Sequence, residues 1–144
     1  MNKERRRINN GYYCFIQKDD TDRIRKKILS SDMLVFATPL YYYGMTAQLK
    51  TVIDRFCAYN SSLNRRNLKS ALLTVAWNAD DWTFEALESH YNTLVRYLNL
   101  QDMGRVLGYG CGTVAMTEKC ISCLFFGNRN DEKRCKESKK SNRR

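Results

Sequence analysis

No apolar run in this chain approaches the roughly 20 residues that a membrane-spanning helix needs, which excludes such a helix within its 144 residues. The basic start, MNKERRRINNG, is followed by no apolar segment, so it does not read as a secretory leader. A soluble cytoplasmic protein is expected. Histidine is nearly absent, His90 being the only one. Cys120 and Cys123 form a lone CxxC with no second pair and no histidine nearby, which is a weak metal signal. Without an export signal, the remaining cysteines, Cys14, Cys57, Cys111 and Cys135, are expected as reduced thiols too. Cys57 closes an apolar helix pattern and reads as a small core residue. There is one proline, Pro39, and no internal repeat.

What is present suits one globular domain. Hydrophobic residues make up 43% of the chain, the ordinary share for a packed core. The formal net charge is +10, which invites a nucleic-acid reading, but its distribution argues against one. Residues 1–10 net +3 and residues 119–144 net +6, which leaves +1 for the body between them. A surface built to track phosphates carries its charge on the folded body. Here the charge lies on two ends that read as solvated tails, and no specific nucleic-acid partner is expected.

Along the chain, residues 11–20 read as loop. Asp20 or Thr21 can cap a helix in which Ile24, Ile28 and Leu29 share a face. Met33–Thr38 is a continuous apolar run, the pattern of a strand buried on both faces, and Pro39 marks its end. Thr46 can cap a second helix with Leu49, Val52, Ile53 and Phe56 on one face. Residues 60–69 are polar and basic and read as a surface connection. Ala71–Trp77 is a second buried strand, and residues 78–82 form an acidic turn. Phe84, Leu87, Tyr91, Leu94, Val95 and Leu98 mark the longest helix. Gly104 allows a turn before a third strand over 105–109, and Gly110 and Gly112 permit a tight loop. Helices alternating with strands predict a parallel α/β sheet. Beyond Thr117 the pattern is lost except for the short apolar run Ile121–Phe126, and 119–144 is expected to be a disordered basic tail.

The segment TPLYYYGMTAQLKTVIDR, Thr38–Arg55, resembles the signature of NADPH-dependent FMN reductases and related iron–sulfur flavoproteins. Cys14 with Asp19 and Asp20 resembles that family's Cys–Asp–Asp segment, and HYNTLVRYLNL and VLGYGCG fit its closing half. The resemblance spans Cys14 to Met116, within a domain at 11–118. It implies a flavodoxin-like, three-layer α/β fold with ligands at the carboxyl ends of the strands. It also implies FMN as cofactor, NAD(P)H as co-substrate and a homodimer.

On that resemblance, Pro39, Leu40, Tyr41, Tyr42, Tyr43, Gly44 and Met45 line the isoalloxazine edge, with Trp77, Asn78, Ala79, Gly110, Cys111 and Gly112 as further walls. The chemistry is the flavin's, so no acid–base residue is required. The tyrosines also suit a cover for the sheet edge or a dimer interface. Trp77 suits core or site equally, while Lys50, Asp54 and Arg55 read as a solvated helix face.

Two departures stand against the resemblance. The family's first strand and its Gly-Ser-Pro-Arg-like loop, which holds the FMN phosphate at a helix amino terminus, have no counterpart in this sequence. About three strands are retained, and FMN binding is expected to be weak or lost. After residue 119 the family's closing helix pattern is missing, as a frameshift would leave it. The four clustered cysteines of an iron–sulfur site are also missing. The expected function is an FMN-dependent NAD(P)H oxidoreductase in truncated form. The alternative is a non-catalytic remnant or interaction module of the same fold.

Overall fold

The structure is a computed structural model and describes residues 20–113 and 115. The expected tails, the loop over 11–19, Cys14 and the cysteines at 120, 123 and 135 lie outside the described residues.

Helix α1 (Thr21–Ser30) leads into strand β1 (Met33–Pro39). Helix α2 (Ala47–Asp54), a 3-10 turn (Arg55–Ala58) and helix α3 (Asn60–Arg66) follow. Strand β2 (Lys69–Val75), helix α4 (Glu85–Tyr97) and strand β3 (Gln101–Gly108) complete the body. The three strands form one parallel sheet in the order β1-β2-β3. The alternation of periods in the sequence therefore gives the parallel α/β arrangement it predicts.

Each helix contributes an apolar stripe to a single core. Ile28 and Leu29 of α1, Ile53 of α2, Leu63 of α3 and Leu87 and Tyr91 of α4 join Phe36 of β1 and Leu72 of β2. All four helices thus cover one face of the sheet. The expectation of strands buried on both faces is corrected. Burial alternates along β1 and β2, with Phe36, Thr38, Leu72 and Thr74 buried and Val35, Leu73 and Val75 exposed. Among the described residues, two of the three expected layers are formed.

Local chemistry sets the boundaries. The Thr46 hydroxyl accepts the Leu49 amide at 3.3 Å and caps α2 as expected. Asp20 occupies the cap position of α1 without a side-chain cap bond. The surface connection expected over 60–69 is instead α3, because Leu63 is fully buried there and its burial outweighs poor local patterning. Asn67 ends it in the left-handed conformation at φ 47°, which asparagine tolerates better than most residues. Cys57 is exposed rather than in the core. It sits in the 3-10 turn, where the helical period breaks, so Phe56 points inward and Cys57 outward.

Strands β2 and β3 each begin earlier than expected. Gly104, expected to form a turn, lies within β3 at φ 114°, where the register with β2 shifts between Ser70 and Leu72. Such a bulge needs glycine's freedom. At this end a polar cluster ties α4 to the sheet. The buried Tyr91 hydroxyl bonds Ser70 at 2.9 Å and donates to Asp102 at 3.1 Å. Arg105 bridges Glu88 and Asp102, both at 2.9 Å, and lies over the Tyr91 ring. Burial by itself would raise the Asp102 carboxyl. Hydrogen bonds from Arg105, the Gly104 amide and Tyr91 outweigh it and hold the group below its ordinary value.

Candidate functional site

Three loops leave the carboxyl ends of the strands and are zipped together by backbone bonds. Leu40 donates to Val75 O at 2.8 Å, Ala76 to Gly108 O at 2.8 Å, and Cys111 to Ala76 O at 2.7 Å. Gly110 donates to Asn78 O at 3.1 Å. These bonds gather the three expected segments, Pro39–Met45, Trp77–Ala79 and Gly110–Gly112, on one rim.

The first loop is a tight turn. Tyr41 and Gly44 exchange two backbone bonds of 3.0 Å. Tyr42 and Tyr43 between them take φ 45° and 64°, a left-handed pair that normally selects glycine or asparagine. Such strain persists only where surrounding structure holds it, and it is common at binding sites. The Thr38 hydroxyl supplies part of that hold by accepting the Thr46 amide at 3.0 Å, so the loop is fixed at its exit. The turn throws Tyr42 wholly into solvent and leaves Tyr41 exposed. The amides of Tyr42 and Tyr43 find no partner among the described residues.

The second loop is organised by Asn78, whose side-chain oxygen accepts the Ala79 amide at 2.8 Å and the Asp80 amide at 3.4 Å. Trp77 is 73% exposed, which decides the open choice against a core role. Its ring lies against the backbone of Gly112, where an added Cβ would come within 2.5 Å of it. Glycine is required at 112 for that close approach. Trp82 was not among the expected site residues, yet its ring stacks on Tyr43 at 5.0 Å. The acidic turn containing it carried no aromatic motif, and only the fold brings residue 82 to residue 43. Behind the rim, Phe84 meets Tyr109 edge-on at 4.7 Å. Burial, then the charges of Glu88, Asp81 and Glu85, push the Tyr109 hydroxyl up.

The rim loops contain Asp80 and Asp81 but neither lysine nor arginine between 39 and 46, 76 and 82, or 109 and 113. Lys50 pairs with Asp54 on the exposed face of α2, as a solvated helix face would. No cluster of three metal-ligating side chains occurs among the described residues. No helix among them is long and apolar enough to cross a membrane.

A family model described as NADPH-dependent FMN reductase matches residues 3–110. The chain belongs to that family. Among curated proteins it is 27% identical over 95 residues to an iron–sulfur flavoprotein of Archaeoglobus fulgidus, covering 66% of this chain and 42% of that one. It is 29% identical over 101 residues to YwqN of Bacillus subtilis, named as an NAD(P)H-dependent FMN-containing oxidoreductase, covering 65% of this chain and 55% of that one. The chain thus spans about half the length of these curated relatives. Among solved structures, a Trp repressor binding protein of B. subtilis superposes with a TM-score of 0.61 at 24% identity, covering 75% of this chain and 71% of that one. General stress protein 14 of Treponema denticola, in complex with FMN, gives 0.55 at 20% identity, with coverage of 84% and 74%. These likenesses establish the flavodoxin-like α/β fold for the described body.

Proposed function

We propose that this chain is the flavin-binding body of a cytoplasmic, FMN-dependent NAD(P)H oxidoreductase. One observation carries the reading. The strained Tyr41–Gly44 turn holds two amides unpaired among the described residues, beside exposed tyrosine rings at the carboxyl edge of a parallel sheet. That is where open α/β sheets take their ligands.

The rim suits the ring portion of FMN. The Tyr42 and Tyr43 amides are placed to bond ring oxygens or nitrogens, while Tyr41, Tyr43, Trp77 and Trp82 offer aromatic walls. A flavin held by this rim would supply the redox chemistry, two-electron transfer from NAD(P)H to an acceptor. This chain's residues orient the ring and shield one side of it from water. The rim does not suit the phosphate, because its only charges are Asp80 and Asp81. The non-catalytic alternative is not favoured, since the aromatic rim is intact.

The test is a titration of the full chain with FMN and, separately, riboflavin, read by flavin fluorescence. Saturable quenching is expected, with the two affinities within about threefold of each other because the rim adds no cation for the phosphate. Tyr43→Ala should weaken both by roughly tenfold, the loss of one stacked ring. Absence of quenching from a folded chain would sink the reading. A strong preference for FMN would show that a phosphate site exists elsewhere in the chain.

A further inference from the structure

The near-neutral charge of the folded body conceals two opposed regions. Residues 76–88 carry Asp80, Asp81, Glu85 and Glu88 and no lysine or arginine, a net −4 at and behind the carboxyl rim. Residues 20–32 and 59–69 carry seven lysines or arginines against Asp20, Asp22 and Asp32, a net +4. Helix α1 orders much of that positive charge. Arg23, Lys26, Lys27 and Ser30 recur at i, i+3, i+4 and i+7, which places them on one helical face. All four are exposed, and they line an open concavity of about 400 Å³. The Arg66 guanidinium donates to Ser31 O at 3.0 Å, so α3 brings a further exposed cation to the end of this stripe. Helices α1 and α3 lead into the amino ends of β1 and β2. Their last turns, with Lys27, Arg65 and Arg66, therefore lie at the end of the sheet opposite the rim.

We propose that this face binds the phosphate backbone of a nucleic acid without reading its sequence. The proposal does not depend on flavin binding. A basic stripe along one helix, in a chain of net charge +10, is the electrostatic footprint of phosphate contact. The charge is available. Asp20 and Asp22 pair with Arg23 at 3.5 Å and Arg25 at 3.2 Å, but such exposed pairs are weak. Lys26 and Lys27 pair with no acid among the described residues. Residues 1–10 and 119–144 add charge of the same sign, which strengthens the attraction.

Other anionic partners fit less well. An anionic bilayer is held by a helix that inserts an apolar face, and Ile28 and Leu29 of α1 are packed against the core instead. A protein interface is centred on aromatic or apolar anchors, and the stripe has none. The acidic rim repels phosphate, so a chain bound through α1 and α3 keeps its rim open to small molecules.

The test is fluorescence anisotropy of a labelled DNA duplex of about 20 base pairs, titrated with the full chain at salt from about 50 to 200 mM. Binding is expected to weaken steeply with salt, and a duplex of different sequence should bind within about twofold. Lys26→Ala and Lys27→Ala together should weaken binding by more than about tenfold at about 0.1 M salt. They should also reduce the slope of log K on log salt by about two, at about 0.9 for each lost phosphate contact. Both lysines are exposed, so their removal leaves the fold intact. Lys26→Arg with Lys27→Arg should keep the original binding, and Lys50→Ala on α2 should leave it unchanged. No binding by the full chain overturns the proposal. An undiminished slope in the alanine pair also overturns it, by assigning the affinity to the charged ends of the chain. Tighter retention on anionic lipid vesicles than on DNA, lost in the alanine pair, overturns it by assigning the face to a membrane.

Discussion

Tyr42 shows how a single residue reports on function. It occupies the left-handed region at φ 45° and buries none of its side chain. A non-glycine residue there costs about 1–2 kcal/mol, and glycine's greater freedom in the unfolded chain takes back about 0.5–1 kcal/mol. Tyr42→Gly should therefore stabilise the fold by about 0.5–1 kcal/mol in denaturant unfolding. An unchanged or lower midpoint would mean that Tyr42 has contacts in solution that relieve the strain. The positive φ values at 42 and 43 were not legible in the sequence. Tyr-Tyr is a poor signal for such a turn, and it forms only because the Tyr41–Gly44 bonds close it and the Thr38 hydroxyl anchors its exit. Trp82 escaped notice for a related reason, since its partner lies 39 residues away.

Among the elements, those with a strong apolar period were legible and α3 was not. The stripes of α2 and α4 name their own buried faces, and Phe84, Leu87, Tyr91 and Leu98 are all buried as the period predicts. Helix α3, NSSLNRR, carries one apolar residue in seven, too few for any periodicity to register. Leu63 alone carries it, fully buried in the shared core. Leu63→Ala should cost about 2–5 kcal/mol and shift the urea midpoint with little change in slope. Ser61→Ala on the exposed side should cost less than about 0.5 kcal/mol. Equal effects at both sites would show that α3 is not seated in the core. Strands β1 and β2 read as continuous apolar runs because the sequence supplies nonpolar residues to both of their faces. Which face the helices cover is set by how the connections pack.

At the scale of the whole molecule, the buried Tyr59 phenol and the hydrogen-bonded Asp102 carboxylate at the sheet edge limit the pH range of the fold. Burial raises the Tyr59 hydroxyl from 10.0 to about 12, the charge of Arg25 opposing it. The folded state favours the neutral phenol, so this stabilisation is complete below pH 10 and is lost as pH rises toward 12. Asp102 behaves in the opposite sense. Its lowered value means that the folded state favours the carboxylate. That stabilisation is present above the ordinary carboxylate range and is lost as pH falls through the lowered value. Urea midpoints measured across pH should be flat near neutrality and fall at both ends. In Tyr59→Phe the alkaline fall should be smaller, and a fall of undiminished size would assign it to other groups.

The sequence by itself determined the alternation of helix and strand, the parallel sheet, the family and the rim segments. Each of these depends on local periods or on one contiguous motif, Thr38–Arg55. Only the tertiary structure decided that all four helices share one side of the sheet, that Leu63 makes a helix of a polar segment, and that Trp82 stacks on Tyr43. Those outcomes depend on contacts between residues far apart in the chain. Their energies come from burial and close approach, which no local pattern of residue types encodes.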